Sequence, residues 1–329
     1  MDLKNNFKYS KLLSAVCVAA SMTMTSTSAM AADVAKVAVS QIVEHPALDA
    51  ARNGLLDGLK EKGYVEGENL EFSYQTAQGN PAIAVQIAKQ FVGERPDVLV
   101  GIATPTAQAL AASTRSIPVV FTAVTDPVGA KLIKDMDKPA RNVTGLSDLS
   151  PVAQHVALMQ ELLPEMKSIG VVFNPGEANA VALVQLLRAA AEEKGLTVVE
   201  GTALKSADVQ SAAQIVAAKA DVIYAPTDNT VASAIDGLVN AGNQAQTPIV
   251  GASTTYIESG ALAALGFDYY QVGVQTADYV DALLKGKKVA ELPVKVAKGS
   301  DLALNQKAAD KLGITFPNSV LERATTIEK

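Results

Sequence analysis

Tryptophan is absent from these 329 residues, cysteine occurs once and histidine twice. A single cysteine can form neither an internal disulfide nor a paired-cysteine metal site. The isolated His45 and His155 leave little for metal or nucleophilic catalysis, and neither metal nor cofactor is expected. No G-x-S-x-G elbow, P-loop or G-x-G-x-x-G turn occurs, which removes the commonest hydrolase, NTPase and dinucleotide sites. A hydrolase built on carboxylates alone leaves no motif and stays open on this ground. Basic clusters are missing too, which argues against nucleic acid and anionic membranes as partners. Beyond the N-terminus no apolar run has the length of a membrane span, so a soluble mature chain is expected.

What is present begins with an export pattern. Lys4, Lys8 and Lys11 accompany a short apolar run, Leu12 to Ala20, and a Ser/Thr-rich stretch leads to Ala29-Met30-Ala31. That run is too short for a bilayer of about 30 Å. Residues 1–31 therefore read as a cleaved signal peptide and the mature chain as periplasmic. Cys17 leaves a lipoprotein as the alternative, although Val16 stands where a small residue is wanted. Cleavage would leave 25 basic against 33 acidic residues, a net of −8. At 49% hydrophobic, a mature chain of this length is expected to bury two cores.

Short β-branched runs alternate with alanine-rich amphipathic stretches, the pattern of parallel sheets covered by helices. One plan is written twice. Pro96-Asp97-Val98-Leu99-Val100 returns as Ala220-Asp221-Val222-Ile223-Tyr224, and Ile117-Pro118-Val119-Val120 as Thr247-Pro248-Ile249-Val250. The helix end Lys60–Tyr64 returns as Glu192–Leu196, with glycine at the C-cap side in each. The fold expected is α/β, with two similar doubly wound parallel-sheet lobes joined by a multi-crossing hinge near Gly145–Pro151. Residues 32–146 with about 269–292 would form the N-terminal lobe, and 147–268 with about 293–329 the C-terminal lobe. Ligands of such sheets sit beyond the carboxyl ends of the strands, here in the cleft between lobes. Three crossings favour bending in one direction, as in a Venus-flytrap clamshell.

Motifs at these loops resemble the tryptophan/tyrosine-type ABC substrate-binding protein family. The matching segments are Gln41–Arg52, Gly63–Gly67, Gly101–Gln108, Thr125–Ala130, Asn142–Asp148 and Asp228–Ser233, in order along the whole mature chain. One departure is Gln78, where the family more often has an acidic residue. The resemblance implies a type I periplasmic-binding-protein fold and the receptor of an importer, with an ABC permease of the inner membrane as partner. It also implies an amino acid as ligand, phenylalanine, tyrosine or tryptophan among the choices. The chain is expected to work as a monomer and not as an enzyme. A sensor presenting its ligand to a membrane receptor would share the fold and the cleft.

A zwitterionic ligand needs donors for its carboxylate and acceptors for its ammonium. Loops that open helices supply donors, which singles out Thr104, ahead of a proline-started helix, and Thr125 with Asp126 after the next strand. All three could equally be ordinary caps. Asp228 is the leading acceptor, with capping of the helix from Val231 as its alternative role, and Asp148, at the first crossing, is the second. Ser147, Asn174 and Asn229 are polar neighbours, followed by Ser253 and Thr254 after a second-lobe strand. His45 follows the first strand and could touch ligand, whereas His155 reads as structural. With no tryptophan, an aromatic ligand would lie among aliphatic walls and Phe121, Phe173, Tyr224, Tyr256 or Tyr269.

Overall fold

The computed structural model describes residues 34–139, 141–298 and 301–329. The expected signal peptide lies outside the described residues. The first half runs β1 (Ala35–Gln41), α1 (Pro46–Glu61), β2 (Leu70–Thr76), α2 (Pro81–Glu94), β3 (Val98–Ile102), α3 (Thr104–Ser113), β4 (Val119–Val124) and β5 (Val143–Ser147). The second half runs α4 (Val152–Leu162), β6 (Ser168–Phe173), α5 (Ala178–Glu193), β7 (Thr197–Thr202), α6 (Val209–Ala217), β8 (Val222–Ala225), α7 (Asn229–Ala232), α8 (Ile235–Ala245), β9 (Ile249–Gly251) and β10 (Ala263–Gly266). The chain then continues through α9 (Tyr269–Leu284), β11 (Lys295–Val296), β12 (Asp301–Asn305), α10 (Gln306–Leu312), α11 (Asn318–Leu321) and β13 (Thr326–Glu328).

Two sheets result, ordered β11-β5-β4-β3-β1-β2 and β13-β12-β10-β9-β8-β6-β7. The internal repeat is visible atom by atom. Asp97, before β3, accepts the Lys36 N–H that opens β1 at 2.8 Å. Asp221, before β8, does the same for Lys167 and Ser168 at the start of β6, at 2.8 and 2.9 Å. Gly63 and Gly195 each take the left-handed conformation that ends a helix, at φ 92° and 69°. The order β2-β1-β3-β4 thus recurs as β7-β6-β8-β9.

Several expectations change in detail. β5 contains Gly145 and lies where the sequence places the start of the hinge, near Gly145–Pro151. The glycine is there because β4 comes so close, and a Cβ would overlap the Phe121 backbone and sit 2.7 Å from its ring. The chain stays on the first sheet through Val296, since β11 pairs with β5, so the last crossing falls later than residue 293. The second sheet is not wholly parallel, because β12 runs antiparallel to β10.

Three crossings therefore join the lobes, β5 to α4, β10 to α9 and β11 to β12. The one core of the first lobe includes Val272, Ala277 and Val280 of α9, so this helix packs on the first lobe although β10 before it belongs to the second. Two cores cover the opposite faces of the second sheet. Fully buried leucines such as Leu55, Leu59 and Leu183 contribute about 1.5–3 kcal/mol each.

Candidate functional site

Strand ends from both sheets converge on one cavity. Its lining comes from the end of β4 and residues after β1 and β5 on one side and after β8 and β9 on the other, joined by the first turns of α5 and α9.

The first-lobe wall is a helix start. α1 opens on Pro46 with no side-chain cap, and the buried Ala47 and Leu48 line the cavity. Free N–H groups and the positive end of a sixteen-residue helix therefore face inward. His45 precedes them, 9% exposed, its Nε2 unpartnered among the described residues. Burial pushes its pKa down to about 4, partly offset by Asn229 across the cleft and by Asp49, so the ring is neutral at pH 7.

The back of the cavity is a hinge tie. Asp148, just after β5, accepts from Tyr269 Oη at 2.6 Å and from Thr125 Oγ1 at 3.3 Å. Tyr269 opens α9, so this carboxylate binds the first crossing to the second. Burial raises the Asp148 pKa, against the pull of its two hydroxyl donors. Ser147 sits behind it, donating to the Thr125 carbonyl at 2.9 Å.

The second-lobe wall is acidic. Asp228 is fully buried and caps α7 by accepting from Val231 N–H at 2.9 Å. Its other oxygen takes the Asn174 N–H at 2.6 Å. Glu177 lies beside it, accepting from Asn229 Nδ2 at 2.5 Å and from Thr230 Oγ1 at 2.8 Å. Burial first, and the Glu177 charge second, raise the Asp228 pKa. Asn179 projects from the first turn of α5 between Glu177 and Thr227.

Of the sequence candidates, His45, Asp148, Asp228, Asn229 and Ser253 line this one cavity. The others do not. Thr125 and Ser147 support Asp148, and Asn174 supports Asp228. Asp126 folds back on the Val128 and Gly129 N–H groups, a turn cap. Thr104 is buried in the first turn of α3 with its hydroxyl unpartnered, away from the lining. Thr254 lies half-buried in a short turn beyond Ser253. Sequence reasoning missed Glu177 and Asn179 as site residues, although their loop after β6 is the counterpart of the His45 loop after β1. Tyr256 and Tyr269 line the cavity, whereas Phe121 and Tyr224 are core. Backbone strain reaches the lining too: Ala123 has φ 52°.

The sequence profile described as "ABC transporter substrate binding protein" matches residues 36–328. The chain belongs to that family. Among relatives of this ABC transporter substrate-binding protein, the tyrosine-binding protein of Clostridioides difficile (strain R20291) is 35% identical, covering 86% of this chain and 83% of its own. A conserved domain protein from Vibrio cholerae O1 biovar eltor str. N16961 is 70% identical over 90% of this chain and 100% of that one, with a TM-score of 0.89. An ABC domain from Streptococcus pneumonia in complex with L-Trp is 38% identical over 89% and 99%, with a TM-score of 0.86. A ligand-free, open substrate-binding protein from Clostridium difficile is 34% identical over 90% and 100%, yet its TM-score is 0.68. At nearly equal identity and coverage, the chain overlays better on the structure in complex with L-Trp than on the ligand-free one. Among the described residues no helix is long and apolar enough to cross a membrane.

Burial at the two histidines has a consequence for acid stability. His155 shares its Nδ1 with Tyr224 Oη at 3.0 Å, and burial lowers its pKa to about 4 as well. A folded pKa below the unfolded value of about 6.5 gives a contribution that is complete above pH 6.5 and lost as pH falls toward 4. At 1.36 kcal/mol per unit each histidine carries up to about 3 kcal/mol of this. Asp148 and Asp228, with raised values, act in the opposite sense, so the difference between proteins is the clean measure. Denaturant midpoints of wild type and His155→Phe should diverge across pH 6.5 to 4, the variant losing less; parallel curves would remove His155 from the account.

Proposed function

We propose that this chain is the solute-binding component of an ABC importer, closing in the periplasm on an aromatic amino acid held as a zwitterion. One observation carries the reading. Among the described residues lining the cavity none is lysine or arginine, while one wall is an uncapped helix start and the other a buried carboxylate. The α1 N-terminus suits the ligand carboxylate and the Asp228 wall its ammonium. Leu48, Ala123 and Ala232, with the rings of Tyr256 and Tyr269, leave an apolar seat for the side chain. The relatives named for tyrosine and crystallised with L-Trp support that class of side chain.

Magnitudes suffice without covalent chemistry. Burying an aromatic side chain contributes about 4–6 kcal/mol and each charge-assisted hydrogen bond about 1.5–3. Association entropy takes back several kcal/mol, leaving room for micromolar affinity, about −8 kcal/mol. The protein acts as a monomer, hands its ligand to a membrane permease and catalyses no reaction.

The mature protein should melt higher with L-phenylalanine, L-tyrosine or L-tryptophan, since ligand at about 100 times Kd adds about 2.7 kcal/mol. If all twenty amino acids leave the melting temperature unmoved while another solute raises it, the amino-acid reading fails.

A further inference from the structure

Asn179 carries an unpaired acceptor that the fold has oriented. It is 3% exposed, and its Nδ2 donates to Glu177 Oε2 at 3.2 Å and to the Thr227 carbonyl at 3.1 Å. Both partners can only accept, so the amide cannot flip and Oδ1 must face elsewhere. Among the described residues that oxygen, buried and lining the cavity, has no donor. Thr227 Oγ1 and His45 Nε2, from other lining residues, are unpartnered as well. Buried polar atoms are almost always hydrogen-bonded, so an orphan acceptor aimed into a binding cavity marks the place of a ligand donor.

The surroundings select the kind of donor. Asn179 sits on the wall that holds the Asp228 and Glu177 carboxylates, with the Thr227 carbonyl beside them. Acceptors gathered around negative charge favour a cation with several N–H groups over a neutral hydroxyl or indole N–H. We propose that Asn179 Oδ1 accepts a hydrogen bond from the ligand's ammonium group, making Asn179 a specificity residue for α-amino acids over their des-amino counterparts. This rests on the amino-acid reading above and adds a residue and a ligand atom to it.

Titration calorimetry on wild type, Asn179→Ala and Asn179→Leu tests it, with L-phenylalanine, L-tyrosine, L-tryptophan and 3-phenylpropanoate as probes. Each variant's ligand-free melt is recorded to confirm folding. The expected result is a loss of about tenfold or more, equal for all three amino acids. Binding of 3-phenylpropanoate, which lacks the ammonium, should change less than twofold, so the preference for the amino acid shrinks. A loss confined to tyrosine and tryptophan would assign Asn179 to the ligand's side chain instead. An equal loss for 3-phenylpropanoate would reduce Asn179 to packing, and no loss would leave it without a role; each overturns the inference. If wild type ignores all aromatic amino acids, the functional reading fails by itself. The same variants are then titrated with the solute that raises the melting temperature. A tenfold loss for an ammonium-bearing solute keeps the inference, and an ammonium-free solute overturns it.

Discussion

Replacing Gly273 by alanine should lower the melting temperature by about 6–12 °C. Gly273 lies in α9 where that helix crosses α1. A Cβ there would overlap the Ala51 carbonyl oxygen and sit 2.7 Å from the Leu55 nitrogen. Gly54 meets the Tyr270 carbonyl in the same way from the other side, and a Cβ on Gly58 would lie 2.8 Å from that of Ala277. The obstruction is helix backbone rather than a flexible side chain, so relief requires moving one helix. Overpacking of this kind costs about 3 kcal/mol, and each kcal/mol moves the midpoint by about 2–4 °C in a protein of comparable size. Function should suffer as well, because α1 presents its N-terminus to the cavity and α9 starts with Tyr269 on Asp148. Gly93→Ala is the control: that glycine is exposed in α2 with nothing near its Cβ position, and the variant should melt no lower than wild type. A Gly273→Ala protein melting within 2 °C of wild type would show that the two helices part easily.

Much of this architecture was legible because repetition is a sequence property. The Asp97 and Asp221 echoes predicted matching strand starts, and the structure gives both aspartates the same job. The site was only half legible. Asp228, Asp148 and His45 could be placed because loops after parallel strands face the cleft whatever their sequence. Thr104 and Thr125 have the right chemistry at the right strand ends, but which side chain reaches the cavity depends on loop turns of a few ångströms. Here Thr125 points at Asp148, and it is the uncapped α1 start that lines the cavity. Glu177 was invisible for a different reason. A glutamate ahead of a helix ordinarily faces solvent, and only the second lobe's packing turns it onto Asn229 and Thr230. β5 falls where the sequence places the hinge, and Gly145 within it meets Phe121 across the sheet, a contact no local pattern reveals.

Asp228→Asn should reduce affinity for the amino-acid ligand by about 100-fold while disturbing the ligand-free fold far less. Asparagine caps a helix nearly as well as aspartate, so the bond from the Val231 N–H survives and only the Asn174 N–H loses its acceptor. Against that loss stands relief: burial and the neighbouring Glu177 make the Asp228 charge unfavourable in the empty protein, which is why its pKa is raised. A folded pKa above the unfolded one means a stability contribution present at low pH and lost as pH rises through the folded value. The variant should therefore gain on wild type, in ligand-free melts, as pH increases. Binding should show the mirror image. An ammonium beside Asp228 favours the carboxylate, so ligand uptake expels a proton and wild-type affinity should climb with pH until the free protein's Asp228 is ionised. In Asp228→Asn that slope should disappear. Calorimetry in buffers of different ionisation enthalpy reads the proton directly. Unchanged affinity in the variant, or an identical pH slope in both proteins, would make Asp228 a helix cap and nothing more.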